Sequence, residues 1–486
     1  MKLLKDILYK AGLEEVIGST HLAVEKLCSD SRLADALSAF VAVRGTQTDG
    51  HLFIDKAIDQ GCKIIICEEF PDSQISGVTY VKVKNTQGAL GVIAANFYDN
   101  PSEKLDLIGT TGTNGKTTVC TLQYQLFKAL GYKVGLLSTV VNKIGNREIK
   151  ATHTTPDTIQ LNELLAEMVE EGCQYCFMEV SSHAIHQQRI SGLTFKGALF
   201  TNITHDHLDY HKTFNEYIKA KKGFFDELNS QAFSLINEDD AHGEIMVQNS
   251  KSKAHTFSLK RDSDFKVKIL ENHFQGLNLI IDDKEIWSKL IGEFNAYNLL
   301  ATYATALLLD QDKLEVLTML SNLNPPAGRF QYVRTENGVT GIVDYAHTPD
   351  ALKNVLNTIA DIRGGDEKVI TVVGCGGDRD NKKRPLMADI ATKKSDKVIL
   401  TSDNPRTEDL NQIIKEMEVG VEKSHFRKTL SITDRREAIK AAASMAESGD
   451  IILVAGKGHE NYQEVNGVRT DFDDMLILTE MLNLVN

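Results

Sequence analysis

The 486-residue chain contains no uncharged apolar run of 18 residues, the length a helix needs to cross a bilayer. Its first sixteen residues carry Asp6, Glu14 and Glu15 among the apolar positions and so lack the pattern of a secretory leader. Cysteine is scarce. The seven present (Cys28, Cys62, Cys67, Cys120, Cys173, Cys176 and Cys375) are odd in number and scattered, which suits reduced thiols and excludes a disulfide framework. Cys173 and Cys176 form a C-x-x-C, but no second pair completes a zinc set, and Cys176 falls in an apolar, strand-like run. Positive charge is also in deficit: 54 Lys and Arg against 67 Asp and Glu leave a net charge of -13, which disfavours phosphate-backbone recognition of nucleic acid. A small phosphorylated ligand stays open, because local donors hold it. The expectation is a soluble, cytoplasmic protein without membrane insertion.

Residues 109–118 read G-T-T-G-T-N-G-K-T-T and follow the apolar run 105–108. A strand that enters a glycine-rich turn and then a helix aims backbone N–H groups and the positive helix end at one point, where an anion can sit. Lys116 would reach the terminal phosphates of a nucleotide, and the Thr117 hydroxyl would hold Mg²⁺. The strict phosphate-loop pattern lacks one of its glycines here, since Thr110 stands in its place. The helical stretch 119–130 supports the reading and ends at Gly131 as a C-cap.

The length predicts about three domains. Residues 1–104 read as a small α/β domain with strands near 39–43, 63–67 and 79–83, closing at Asn100-Pro101-Ser102. In 105–327, near-continuous apolar runs at 134–139, 175–180, 198–203 and 233–237 alternate with amphipathic helices, the signature of a mostly parallel sheet covered on both faces. Pro325-Pro326-Ala327-Gly328 reads as a hinge, and the alternation restarts in 328–486 with runs at 342–345, 369–374, 398–402 and 451–455. Ligands of such sheets bind beyond the carboxyl ends of the strands. Glu179 closes one run and His207 follows the next, so both can face the phosphate loop. His183, His205, His207 and His211 invite a zinc reading, yet carboxylate and hydroxyl oxygens with one imidazole suit Mg²⁺ or Mn²⁺ beside phosphates better.

The segments G-T-T-G-T-N-G-K-T-T, M-E-V-S-S-H, N-I-T-H-D-H-L-D-Y-H, G-E-F-N-A-Y-N, G-R-F, D-Y-A-H-T-P, G-D-R-D, D-N-P-R and G-K-G-H-E occur in this order across nearly the whole chain. In this the chain resembles the Mur ligase family. The resemblance implies a small N-terminal domain that binds a UDP-sugar, a central P-loop ATPase-like domain and a C-terminal Rossmann-like domain that binds an amino acid. It implies an ATP-dependent amide ligase of peptidoglycan synthesis that phosphorylates a carboxylate to an acyl phosphate, which an amine then attacks. Two Mg²⁺ ions, Lys116 and the loop amides would neutralise the charge that accumulates when a carboxylate meets a triphosphate.

Residue by residue, the resemblance gives ATP to Gly112, Thr113, Asn114, Gly115, Lys116, Thr117, Thr118, Asn295, Asn298, Arg329 and Asp344, and metal to Thr117, Glu179, His207 and Lys221. Lys116, His207 and Lys221 would be catalytic, with Lys221 carboxylated to an anionic ligand; three lysines in four positions (Lys219, Lys221, Lys222) otherwise read as a solvated helix face. Ser31, Thr154, Thr155, Ser181, Gln187 and Arg189 match contacts to the UDP-N-acetylmuramoyl dipeptide. Arg379, Asp403, Asn404, Pro405, Arg406, Gly456 and Glu460 match contacts to meso-diaminopimelate. The D-N-P-R motif marks the members that add this amino acid; Arg406 would grip its far carboxylate bidentately and Glu460 its far ammonium. The competing use of Arg406 is a surface ion pair with Glu408.

Three other readings remain beside this one: the same reaction with L-lysine, a folylpolyglutamate synthetase-like ligase, and a P-loop switch or motor. The first-domain segments Asp30-Ser31-Arg32 and Asp49-Gly50-His51 argue against the second. The chain is expected to work as a monomer on small molecules, its third domain closing over the middle one to keep water from the acyl phosphate.

Overall fold

A computed structural model describes residues 1–45 and 48–485 of the chain. The first domain holds a five-stranded sheet in the order Leu13–Ile17, Thr79–Val83, Ile64–Cys67, Ser38–Val41, Lys26–Cys28, parallel except for its first member. The central sheet has eleven strands. Its parallel middle runs Val134–Leu137, Tyr175–Glu179, Asp106–Thr111, Gly197–Phe200, Phe233–Asn237, Lys253–Ser258, Phe265–His273, and antiparallel strands extend it at both ends. The third domain's sheet has six strands, ordered Gln331–Arg334, Thr340–Asp344, Ile451–Ala455, Val369–Cys375, Lys397–Ser402, Thr429–Ser431. The class is therefore α/β in three domains, with parallel strands buried on both faces as their unbroken apolar runs require.

The topology fixes where the chemistry sits. Asp106–Thr111 is the first strand of its sheet's parallel middle, yet it lies at the centre, with its successors placed on either side. This is the point where strand order reverses and a crevice opens at the carboxyl ends. Gly109 in this strand is obligatory for packing: a Cβ there would stand 2.5 Å from Phe224 Cζ and 2.9 Å from Phe195 Cε1. The helix Phe214–Asp226, started by Thr213, whose hydroxyl accepts from the Glu216 N–H at 3.2 Å, is thereby pressed against the loop strand. It buries Tyr217, Lys221, Phe224 and Phe225, an i, i+4, i+7, i+8 stripe, while Lys219 faces solvent beside Glu216 and the partly buried Lys222 pairs with Asp226. The solvated-face reading of all three lysines fails because Lys221 occupies the apolar stripe. No helix among the described residues is long and apolar enough to cross a membrane.

Candidate active site

The helix after the phosphate loop spans Lys116–Ala129, three residues earlier than its apolar periodicity indicates, because the loop itself supplies the first turn. Gly115 precedes it at φ 89°, and Gly131 follows it at φ 93°. Val119 N–H is the first to bond back, to Gly115 O at 2.9 Å, which leaves the amides ahead of it as free helix-end donors. The loop is braced from the next strand: Thr113 N–H donates to Asn202 O (2.8 Å), Asn114 N–H to Asn202 Oδ1 (2.9 Å), and Thr201 Oγ1 to Asn114 O (2.6 Å). Side chains are excluded from the cradle. A Cβ on Gly112 would stand 1.9 Å from Thr201 Oγ1, and one on Gly115 2.8 Å from Asn298 Oδ1.

This loop opens on a cleft of about 580 Å³ between the middle and third domains, lined by Lys116, Thr117, Thr118, Glu179, His207, Lys221, Asn298, Arg329 and Asp344. Lys116 Nζ is folded back on Gly112 O (2.9 Å) and Thr113 O (3.0 Å), and burial lowers its pKa. The Glu179 carboxylate, 1 % exposed, accepts from Thr139 N–H (2.7 Å) and Thr139 Oγ1 (3.1 Å). His207 sits in the left-handed region at φ 53°, its Nε2 3.5 Å from Asp206 Oδ2, and burial lowers its pKa. Lys221 is 1 % exposed, donates to Gly112 O at 2.8 Å and lies 4.6 Å above the Tyr217 ring. Burial, then the neighbouring Lys116 charge, drives its pKa well below the ordinary lysine range.

The third domain reaches into the cleft. Arg329 Nη2 donates to Thr117 Oγ1 (3.1 Å), its guanidinium lies 4.6 Å from the Tyr345 ring centroid, and its Nε is buried without a partner. Asn114 Nδ2 donates to Asp350 Oδ2 at 3.2 Å. Asp344 accepts from Phe330 N–H (2.7 Å), and burial, opposed by Arg329, raises its pKa to about 6. Asn295 does not line the cleft as expected; it stands behind Asn298, accepting from Asn298 Nδ2 at 2.9 Å while its own amide donates to Ile291 O at 2.8 Å.

Two further clusters lie outside the cleft's centre. Thr155 Oγ1 donates to Glu179 O (2.7 Å) and accepts from Ser181 N–H (3.1 Å), Arg189 Nη1 donates to Thr155 O (3.1 Å), and Arg189 Nε and Nη2 fork onto Gln187 Oε1 (2.9 and 2.6 Å). Thr154 Oγ1 lies 3.1 Å from Thr139 Oγ1, whose proton goes to Glu179, so this cluster abuts Glu179. Ser31 is apart from it, in the first domain and 5 % exposed. In the third domain, Asn404 Nδ2 donates to Glu460 Oε2 (2.6 Å), and a Cβ on Gly456 would stand 2.7 Å from Asp403 Oδ2. Burial, then Asp403, raises the Glu460 pKa. Arg406 sits at φ 53°, follows Pro405 and gives one N–H to Gly377 O at 2.8 Å. The ion pair with Glu408 does not form: Glu408 is taken by Arg384, whose side chain is 1 % exposed and which also holds Glu416. Arg379 is exposed and donates to Asp378 O at 3.0 Å. The sequence reading passed over Arg384 and also Lys457, which is 0 % exposed and donates to Asn404 Oδ1 (3.2 Å) and Tyr462 O (2.5 Å). Their place inside G-D-R-D-N-K-K-R and G-K-G-H-E was the available signal.

Family models match three stretches of the chain: the Mur ligase family catalytic domain over residues 24–98, the Mur ligase middle domain over 110–306, and the Mur ligase glutamate ligase domain over 328–458. The chain is 56 % identical over 481 residues, 99 % of each protein, to UDP-N-acetylmuramoyl-L-alanyl-D-glutamate–2,6-diaminopimelate ligase of Cytophaga hutchinsonii. It belongs to the Mur ligase family. A second such ligase, of Bacteroides thetaiotaomicron, is 53 % identical and covers 99 % of this chain and 100 % of its own. A solved structure of a ligase with the same name is 32 % identical, with a TM-score of 0.69 over 98 % of each chain. The cleft thus belongs to a Mur ligase, and the glycine-rich loop, Glu179, His207 and Lys221 all line it.

Proposed function

We propose that this Mur ligase joins meso-2,6-diaminopimelate to UDP-N-acetylmuramoyl-L-alanyl-D-glutamate at the expense of ATP, through an acyl phosphate, as a cytoplasmic and monomeric enzyme of peptidoglycan synthesis. One observation carries the ligase chemistry: an anion cradle, a buried carboxylate, an imidazole and a buried lysine line one cleft that the third domain closes with Arg329. The glycine cradle and the buried, unpartnered Arg329 Nε fit a polyphosphate, which supplies the missing acceptor. Lys116, released from Gly112 O and Thr113 O, turns to the terminal phosphates. Asn298 borders the nucleotide, and Asn295 and Asp344 keep Asn298 and the Arg329-Phe330 turn in place.

Thr117 and Glu179 offer hard oxygens that would hold one Mg²⁺, or Mn²⁺ in its stead, and the His207 imidazole would hold the second ion. When bound, the two ions neutralise the charge that otherwise keeps carboxylate and triphosphate apart. In its uncharged form the Lys221 amine takes up CO₂, forming one N–C bond and releasing one proton, and so becomes an anion in a place where an ammonium would repel a cation. The Thr154, Thr155, Ser181, Gln187 and Arg189 cluster receives the muramoyl peptide beside Glu179, with Ser31 on the uridine side. Arg379, Asp403, Asn404, Pro405, Arg406, Gly456 and Glu460 receive the incoming amino acid. Arg406 keeps most of its guanidinium donors for the far carboxylate, the group that L-lysine lacks.

A phosphate-release assay tests the reading. Phosphate should appear only when ATP, the UDP-linked dipeptide and meso-diaminopimelate are all present, and L-lysine should not replace the last. Phosphate released with ATP alone would instead favour a motor or switch.

A further inference from the structure

Behind the two loops assigned to the amine substrate lies an ion pair that no part of the reaction uses. Arg435 begins the helix Arg435–Met445 and Asp474 begins the helix Asp474–Val485, and both side chains are 0 % exposed. The guanidinium binds the carboxylate through Nε (2.8 Å) and Nη2 (2.7 Å). Two more of its donors go to backbone carbonyls: Nη1 to Ser402 O (3.1 Å) and Nη2 to Ala455 O (3.1 Å). Ser402 ends the strand Lys397–Ser402 and directly precedes Asp403, Asn404, Pro405 and Arg406. Ala455 ends Ile451–Ala455 and directly precedes Gly456. These strands are not neighbours; Val369–Cys375 lies between them in the sheet, so the guanidinium straddles it.

A buried ion pair is poor value as a source of stability, since apolar residues of similar volume do as well. A planar fork with five donors does something apolar residues cannot: it fixes a carboxylate and two separate carbonyls in one plane. The spacing it sets has little slack, because Gly456 and Asp403 touch so closely that a single added Cβ would come within 2.7 Å of the carboxylate.

We propose that the Arg435–Asp474 pair is a positioning device for the amine substrate, fixing the separation of the Asp403–Arg406 and Gly456–Glu460 loops without touching the ligand. The inference rests on the assignment of those loops to meso-diaminopimelate. Its test uses the full-length enzyme and two variants, Arg435→Lys, which keeps the charge and loses the fork, and Asp474→Asn, which keeps the shape and loses the anion. KM is measured for all three substrates, with thermal unfolding alongside. Arg435→Lys should raise KM for meso-diaminopimelate roughly 10- to 100-fold, as for the loss of an outer support of a ligand site. Asp474→Asn should raise it about 3-fold or more by the same loosening. KM for ATP and for the UDP-linked dipeptide should stay within about twofold, those sites being built elsewhere.

A folded variant with an unchanged KM for meso-diaminopimelate overturns the inference, and so does a common rise in all three constants, which marks general loosening. Where Arg435→Lys does not fold, Asp474→Asn decides by the same criteria. Should the unaltered enzyme fail to use meso-diaminopimelate, the functional reading falls; should it succeed while both variants keep their affinity, only the positioning role falls.

Discussion

Replacing Arg406 with alanine separates recognition of the amino acid from everything else the enzyme does. The guanidinium carries five N–H donors, and one is engaged with Gly377 O at 2.8 Å. Glu408, the carboxylate nearest in sequence, is held by Arg384, so the fork is left for a ligand. Two charge-assisted hydrogen bonds in a half-buried position contribute about 2–4 kcal/mol together, which converts to roughly 30- to 1000-fold in KM for meso-diaminopimelate. KM for ATP should move by no more than about twofold, because no ATP contact is shared with the 403–406 loop. L-Lysine should become no poorer a substrate, since a positive charge that repels its ammonium is gone. Only one hydrogen bond within the protein is lost, so the unfolding temperature should fall by no more than about 3 °C. Arg406→Lys should lie between, having charge without the fork. Steady-state kinetics with phosphate detection measures all of these. Equal rises in the two KM values, or none for meso-diaminopimelate, would refute the assignment of Arg406 to the far carboxylate.

Lys221→Ala should lower turnover roughly 100- to 1000-fold, as for loss of a group that stabilises the transition state, and formate or acetate in the buffer should restore part of it; full activity without rescue would show that no carbamate is needed. Asp344 titrates near 6 in place of 3.8, so its ionisation costs the folded state about 3 kcal/mol, a penalty that builds as pH rises from about 4 to about 6 and then stays constant. Asp344→Asn should therefore be more stable than the parent at pH 8, with the advantage vanishing below pH 4, in denaturant titrations at each pH. Gly109→Ala drives a methyl against Phe224 and Phe195 and should cost about 1–3 kcal/mol of stability, while also reducing turnover because the same helix carries Lys221.

The strands that frame the site were legible because parallel strands covered on both faces are almost uniformly apolar. Thr79–Val83, Phe233–Asn237 and Ile451–Ala455 match their sequence runs at both ends. The half-exposed hairpins at the rims were not: Val141–Ile144 with Arg147–Lys150, and Tyr462–Val465 with Val468–Asp471, mix charge and apolarity without a period that stands out. Of the site, the strand, turn and helix around residues 106–129 were legible from the glycines, Lys116 and the apolar runs on either side. Lys221 was distinguishable from Lys219 and Lys222 by the family pattern, and in hindsight by the stripe it shares with Tyr217 and Phe224. Arg435 and Asp474 were invisible, since 39 residues separate them and only the folded sheet brings them together. Asn295 was placed at the ligand because a motif shows that a residue belongs to a site, not the layer it occupies.

Activation of the dipeptide's carboxylate by phosphoryl transfer leaves a mark that oxygen labelling reads. With ¹⁸O in both glutamyl carboxylates of the UDP-linked substrate, ATP and meso-diaminopimelate, mass spectrometry of the released phosphate should find one ¹⁸O atom in each, carried over when the amine displaces it from the acyl phosphate. Unlabelled phosphate alongside normal product formation would contradict the account.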